Sequence, residues 1–251
     1  LAKIISFHAF RRGSGTSSLI SSMAALMALR GKRVGVMDIN LQSPSVHIIF
    51  GMNGVDFKWT LNDYLWGKCS MEETVYDVTS HLNHEIEGKV FLVPSSSNIL
   101  NIMRILHEGY DVEKLNQGFS TMIQAFELDY LLVDNGAGIS GETLVALANS
   151  DIVIVIMRLD QQDYQGTAVS YSLAQKMNIP SIIFLVNDVP ASFDLGKTRR
   201  EVEQTYGCKI GAVLHHSDEM MTLASGGIFS LEYPHHPLTK SLDYLLPDLM
   251  D

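Results

Sequence analysis

Positions 10–18 read Phe10-Arg11-Arg12-Gly13-Ser14-Gly15-Thr16-Ser17-Ser18, and a helical pattern opens behind them. Glycines at 13 and 15 let the backbone take left-handed φ values, so successive N–H groups can converge on one anion. A helix N-terminus adds unpaired N–H groups and a partial positive charge, which favours phosphate. Ser17 stands where a hydroxyl could hold Mg²⁺. Against the G-x-x-x-x-G-K-[ST] phosphate-loop pattern, Phe10 stands for the first glycine and Thr16 for the lysine. Loss of that lysine removes a positive charge from the β- and γ-phosphates, where phosphoryl transfer normally uses one. A Gly/Ser turn capping an ordinary helix is the other reading of these residues.

Such a loop needs a strand to deliver it and a helix to receive it. Lys3–His8 reads as the strand. Ser17–Arg30 has helical spacing, with Leu19, Met23, Leu26 and Leu29 near one face and Gly31 placed to end it. Further apolar runs lie at Arg33–Asp38, Lys89–Pro94, Tyr130–Asp134, Asp151–Met157, Ser181–Asn187 and Lys209–Leu214. They lack strict alternation, as strands buried on both faces do, which predicts a parallel sheet covered by helices. The helices are expected near 59–66, 71–78, 112–127, 141–149, 162–177, 194–206 and 217–225. The expected fold is therefore α/β: a doubly wound, mainly parallel sheet with helices on both faces, one domain over 1–251. Right-handed crossovers then gather the carboxyl ends of the strands on one edge, where ligands bind.

Composition narrows the function classes. The 251 residues carry 18 Lys and Arg against 28 Asp and Glu, a net charge of −10, and 46% are hydrophobic. That is enough apolar surface for a large core and rules out a disordered chain. No apolar run approaches the roughly 18 residues of a membrane span. The first residues lack the pattern of a secretory signal. Cys69 and Cys208 are the only cysteines, so neither a disulfide framework nor a zinc spacing is present and a reducing cytoplasm is the default.

The loop and the chain beyond it resemble the ParA/MinD family of P-loop ATPases, whose deviant motif is K-G-G-x-G-K-[ST]. On that motif Arg11 stands for the signature lysine, Arg12 for a glycine, Thr16 for the loop lysine and Ser17 for the magnesium-binding residue. Val34-Gly35-Val36-Met37-Asp38-Ile39-Asn40 resembles the segment whose first Asp activates water, with Asn40 replacing a second common Asp. Leu131-Leu132-Val133-Asp134-Asn135-Gly136-Ala137-Gly138 is similar to the Walker B run, with Gly136 in place of proline. Phe184-Leu185-Val186-Asn187-Asp188 resembles the strand whose Asn reads the adenine edge, and 217–229 the late loop that closes over the base. The resemblance covers essentially the whole chain. With Gln42-Ser43-Pro44 and Asp160–Gly166 it looks most like ParA-like proteins common in cyanobacteria, some of which position organelles such as carboxysomes.

The resemblance implies ATP and Mg²⁺ as cofactors. It implies catalytic roles for Asp38 and Arg11, and nucleotide contacts from Arg12, Gly13, Ser14, Gly15, Thr16, Ser17, Ser18 and Asn187. Ser17, Asp38 and Asp134 would surround the magnesium. It also implies a homodimer closed by ATP that positions a cargo or regulates a protein adaptor. Thr16 and Arg12 point to weak or absent hydrolysis, or to a scaffold that keeps only the fold. A small-molecule ligase on this fold ranks last, because nothing supplies a second substrate site. DNA binding has one dense basic candidate, Lys197-Thr198-Arg199-Arg200, with helix-surface charge as the plainer account. His215-His216 and His235-His236 lack ligand spacing and read as loop or surface residues. The methionines read as core packing or a partner-facing patch. The end of the chain, 241–251, is acidic and interrupted by Pro247, which argues against direct membrane anchoring.

Overall fold

A computed structural model describes residues 2–250. Eight strands form one sheet: β1 (Lys3–Ala9), β2 (Arg33–Asp38), β3 (Tyr76–Asp77), β4 (Lys89–Val93), β5 (Tyr130–Asp134), β6 (Ile152–Met157), β7 (Ser181–Val189) and β8 (Lys209–His215). Their order is β3-β4-β2-β5-β1-β6-β7-β8. Every pairing is parallel except β3 with β4 at the edge. β1 lies mid-sheet between β5 and β6, so the chain leaves it toward both edges and opens a crevice at its carboxyl end.

The strands read as continuous apolar runs because alternate residues feed opposite faces. In β6, Ile152, Ile154 and Ile156 join one core, while Val153, Val155 and Met157 join another. The first core is closed by α1 (Thr16–Leu29) and by α11 (Pro237–Met250), through Met23, Met27, Leu242 and Leu246. On the opposite face, α5 (Val112–Ala125) packs Leu115, Phe119 and Met122 under β2, β4 and β5. Beyond it, α7 (Gln161–Lys176) and α8 (Leu195–Tyr206) cover β6, β7 and β8. α6 (Gly141–Ala148) succeeds β5, and short helices α2 (Val46–Ile49), α3 (Leu61–Leu65), α9 (Asp218–Leu223) and α10 (Phe229–Glu232) punctuate the loops.

Two stretches differ from the sequence expectation. Residues 71–78 are not a helix: one 3₁₀ turn at Glu72–Thr74 leads into β3. The Thr74 hydroxyl donates to the Met71 carbonyl and closes that turn, and Tyr76 pairs with Leu92 of β4. The C-terminal segment is not a broken tail, because Pro247 lies inside α11. A proline cannot donate to the carbonyl four residues back. Here that is the Asp243 carbonyl, which accepts from Arg30 Nη2 at 3.5 Å, while Asp243 Oδ1 sits 3.0 Å from the same nitrogen. Leu242, Leu245, Leu246 and Leu249, at helical spacing, are all buried. A further helix absent from the sequence expectation, α4 (Ile99–Glu108), comes after β4 and buries only Ile105.

Because α11 belongs to the core, Leu246→Ala is expected to destabilise the chain by about 2–5 kcal/mol. Urea unfolding followed by circular dichroism measures it; a change within experimental scatter would show α11 to be a dispensable appendage.

Candidate functional site

The loop after β1 folds as a nest. Gly13 and Gly15 take φ of 77° and 86°, and Gly15 is the N-cap of α1. No side chain caps that helix and its first turn holds no acidic residue, so its leading N–H groups face the crevice with their partial positive charge intact. The Ser14 hydroxyl donates to the Arg11 carbonyl at 2.9 Å and tightens the turn. Asn187 at the end of β7 donates through Nδ2 to the Ser14 carbonyl at 2.9 Å. A Cβ on Gly15 would lie 2.5 Å from that same nitrogen, so only glycine lets the loop approach β7 this closely.

A cavity of about 290 Å³ opens over the loop. Its wall includes all of Arg11 to Ser18, with Asn40, Ser43, Ser45, Asp134 and Ser225. Below it lie two buried carboxylates. β2 and β5 run in register so that Asp38 and Asp134 are paired neighbours across the strands. Asp134 reaches the cavity, where its Oδ2 accepts from Ser17 Oγ at 2.7 Å; Ser45 Oγ lies 3.1 Å from that hydroxyl. Asp38 is fully buried and does not line the cavity. Its carboxylate accepts the backbone N–H groups of Asn40, Ser45 and Val46 at 3.0, 3.0 and 3.3 Å, which folds the 40–46 loop around it. Burial pushes the Asp38 carboxyl up to about 6, against the pull of those N–H groups. The Asp134 carboxyl is raised by burial first and by Asp38 second.

The cations are placed asymmetrically. Arg11 turns toward α7: its Nη1 donates to Asp160 Oδ1 and Oδ2 at 3.0 and 3.2 Å and lies 3.5 Å from Asp163 Oδ1. Arg158 shares those carboxylates, with Nε 3.2 Å from Asp163 Oδ2. Arg12 is exposed and has no hydrogen bond or ion pair among the described residues. Phe10 packs on α7, where a Cβ at Gly166 would fall 2.0 Å from its ring. Two strand residues earlier, the buried His8 pairs its Nε2 with Ser170 Oγ at 2.8 Å, and burial lowers its pKa to about 4, which keeps the ring neutral.

Asn187 lies apart from this cavity, in the wall of a second one of about 280 Å³ that the loop shares through Gly13, Gly15 and Ser18. Asp188, His215, His216, Met220 and Met221 also line it, and His216 Nδ1 pairs with Asp188 Oδ1 at 2.6 Å. The late loop passes through Ala224 and Ser225, at φ of 47° and 62°, and brings Ser225 over the phosphate-loop cavity. Sequence reasoning assigns no role to Ser45, Asp160 or Asp163. An exposed-looking Asp-x-x-Asp at a helix start gives no hint that it faces a loop 149 positions earlier.

The other candidates resolve simply. Arg199 donates to the Ile210 and Gly211 carbonyls, covering the open edge of β8, and Lys197 pairs with Glu201 at 3.7 Å. Burial pushes the Cys69 and Cys208 thiols up to about 11, so both are neutral. Among the described residues no group of three or more His, Cys, Asp or Glu could hold a metal. Met23, Met27 and Met122 are core, while Met103 and Met221 are exposed. No helix of the described residues is long and apolar enough to cross a membrane.

Comparison with known proteins agrees with this geometry. The AAA domain family matches residues 2–179. An uncharacterised ATP-binding protein of Methanocaldococcus jannaschii is 24% identical over 96% of this chain and 85% of its own length. The flagellum site-determining protein YlxH of Helicobacter pylori is 28% identical over 63% of this chain, and the match spans 49% of that protein. In structure, the MinD cell division protein of Aquifex aeolicus superposes with a TM-score of 0.80 at 16% identity, covering 99% of this chain and 97% of that one. The fold is thus that of the MinD/ParA P-loop ATPases.

The paired carboxylates give this site a pH signature. A carboxyl whose pKa rises on folding binds its proton more tightly in the folded chain. Its stabilisation is present in acid and is lost as the pH climbs through the folded value, about 6 for Asp38. Asp134→Asn keeps an oxygen for Ser17 and removes one charge of the pair. In the absence of nucleotide and metal it is expected to exceed the parent in stability above that pH by about 1 kcal/mol or more. The gap should close in acid. Urea unfolding across the pH range reads it, and a variant less stable than the parent at every pH would contradict the account.

Proposed function

Since the chain belongs to the AAA domain family, we propose that residues 1–251 act as one nucleotide-responsive switch domain. It dimerises to position a cargo or to regulate a protein partner, and its ATP hydrolysis is weak or absent. One observation carries the reading. The anion nest, Ser17, Asp134 and Asp38 are assembled, yet no lysine points at the phosphate position: Thr16 replaces it, and Arg11 is held by Asp160 and Asp163. Similarity to a flagellum site-determining protein and to a cell division protein supports a positioning role.

The residues fit a nucleotide with Mg²⁺. Ser17 Oγ and Asp134 Oδ2 are hard oxygen donors 2.7 Å apart, set beside a second buried carboxylate that a cation would relieve. Ser17 and Asp134 would hold Mg²⁺, which would supply positive charge to the phosphates. The loop N–H groups of 13–18 receive the phosphates, and Ser17 and Asp134 orient the metal side. Asp38 holds the 40–46 loop through three backbone N–H groups, and the catalytic role that the resemblance implies for it would require its carboxylate to leave them. Arg12 is the cation left to approach the phosphates. Asn187 keeps Oδ1 for a base amino group while its Nδ2 stays on Ser14. The site lacks preorganised positive charge at the transferred phosphoryl group, which slows hydrolysis more than binding.

Titration calorimetry with Mg-ATP and ADP, run beside a turnover assay, tests the reading. Both nucleotides are expected to bind, with turnover slow. Thr16→Lys should tighten ATP by roughly tenfold, the effect of about one charge-assisted hydrogen bond. Sedimentation with and without ATP should show a nucleotide-dependent dimer. Robust turnover abolished by Asp38→Ala would refute the weak-hydrolysis part. No nucleotide binding, with an oligomer indifferent to ATP, would leave a scaffold on the same fold.

A further inference from the structure

Beside the second cavity runs α9, a short helix that buries none of its residues. Met220 and Leu223 lean on the core without being enclosed by it, and Met220 and Met221 form part of the cavity wall. After α9 the chain turns through Ala224 and Ser225, both at positive φ, and reaches the phosphate-loop cavity. With so little apolar burial, the helix depends on its polar contacts to stay in place. Its start is tied twice to the body of the domain, each time by a histidine that faces a carboxylate. Glu219 Oε2 lies 3.5 Å from His236 Nε2, and Asp218 Oδ1 lies 3.4 Å from His216 Nε2.

The two ties respond differently to a proton. His236 Nδ1 accepts the Leu238 N–H at 3.1 Å, so the neutral ring carries its hydrogen on Nε2 and points it at Glu219. That tie needs no added proton. His216 has a carboxylate at each nitrogen, with Asp188 Oδ1 at 2.6 Å from Nδ1 and Asp218 at Nε2. A neutral imidazole has one N–H and serves only one of them, leaving a lone pair against the other; the imidazolium donates to both. The backbone of His216 is fixed in either state, because its N–H donates to the Val189 carbonyl at 2.8 Å. The neighbouring groups do not offset this pattern. His215 turns its Nδ1 to the Val189 carbonyl at 3.3 Å, and Glu219 is shared between Ser217 Oγ and His236. Among the described residues, those lining the cavity include no lysine or arginine. The hydrogen bond to Asp188, with the charge of both carboxylates, raises the His216 pKa above the ordinary imidazole value.

We propose that His216 is a proton-operated latch on α9. With its ring charged, it bridges the end of β7 to the start of α9 and holds the helix against the second cavity. With its ring neutral, it stays on Asp188 and lets Asp218 go. Only the consequence of the latch rests on the nucleotide reading, in which Asn187 meets the base in this cavity. Hydrogen exchange of the nucleotide-free chain, corrected for the intrinsic effect of pH, tests the latch itself. Protection of the amides of 221–226 is expected to fall about threefold as the pH climbs through the His216 titration, the size of one exposed ion pair. Asp218→Asn should abolish that fall, because the asparagine Nδ2 donates to Nε2 of the neutral ring and the tie no longer needs the proton. His216→Lys keeps its charge throughout and should stay protected across the range. Protection in the parent that is flat with pH, or a fall that Asp218→Asn leaves intact, overturns the proposal. Titration with Mg-ATP at the two ends of the pH range reads the consequence: between them the parent should lose about threefold more affinity than Asp218→Asn. Equal losses, with exchange behaving as expected, refute the link to the cavity. No binding at any pH refutes the nucleotide reading and leaves the latch standing on exchange.

Discussion

Two carboxylates on neighbouring strands, both out of water, set the terms for the rest of this site. Register alone puts Asp38 beside Asp134. In a medium of low dielectric two such charges cannot both ionise without compensation. The surroundings answer one at a time. Three backbone N–H groups converge on Asp38, and making those bonds is what folds residues 40–46 into a loop. A single hydroxyl, Ser17, faces Asp134 from the first turn of α1. Compensation is therefore fuller on the β2 side than on the β5 side, which is the side that opens to the cavity. The arrangement is stable as built and is improved by a cation arriving at Asp134. That is the physical sense in which the site is poised toward a metal-bound anion.

The loop has no lysine at its nest and its Arg11 is tied to Asp160 and Asp163, so its position is held by packing and by neighbours. α1 receives it from below, Asn187 pins Ser14 from β7, and α7 holds Phe10 and Arg11 from the side. A phosphate loop with a lysine has a charge that a bound anion can organise. Here the backbone is organised before any anion arrives, and the N–H groups and helix terminus supply the attraction.

Much of this is legible in the residues. Strands buried on both faces announce themselves because both sides favour apolar residues, and the glycines at 13 and 15 mark a backbone shape that other residues resist. What the residues conceal are the places where a distant partner reverses a local rule. Pro247 should end a helix, but four leucines at helical spacing bury together and Arg30 takes up the carbonyl that the proline leaves. Residues 71–78 look helical in composition, yet Tyr76 is drawn into an edge pairing with Leu92. α4 is hidden for the opposite reason, since its apolar residues stay largely exposed and give the core no pattern to read. At the site, the motif has Asp38 facing substrate, while the structure turns it into the loop that succeeds β2. The resemblance gives Arg11 a catalytic role, and in the structure Asp160 and Asp163 hold its guanidinium.

The Arg11 arrangement constrains how the site could change state. Asp160 is also the N-cap of α7, accepting the N–H groups of Gln162 and Asp163. The N–H of Asp163 and the Arg11 guanidinium thus draw on the same carboxylate, and both hold its pKa below the usual range. If Arg11 leaves to meet a phosphate, Asp160 keeps its capping bonds but loses its closest cation, and Asp163, almost wholly buried, is left with Arg158 alone. Removing one partner from a buried charge is unfavourable. The start of α7 therefore resists the departure of Arg11, and release becomes easier if α7 itself shifts. Loop and helix are thus tied at this point, and displacement of Arg11 costs less if the start of α7 shifts with it.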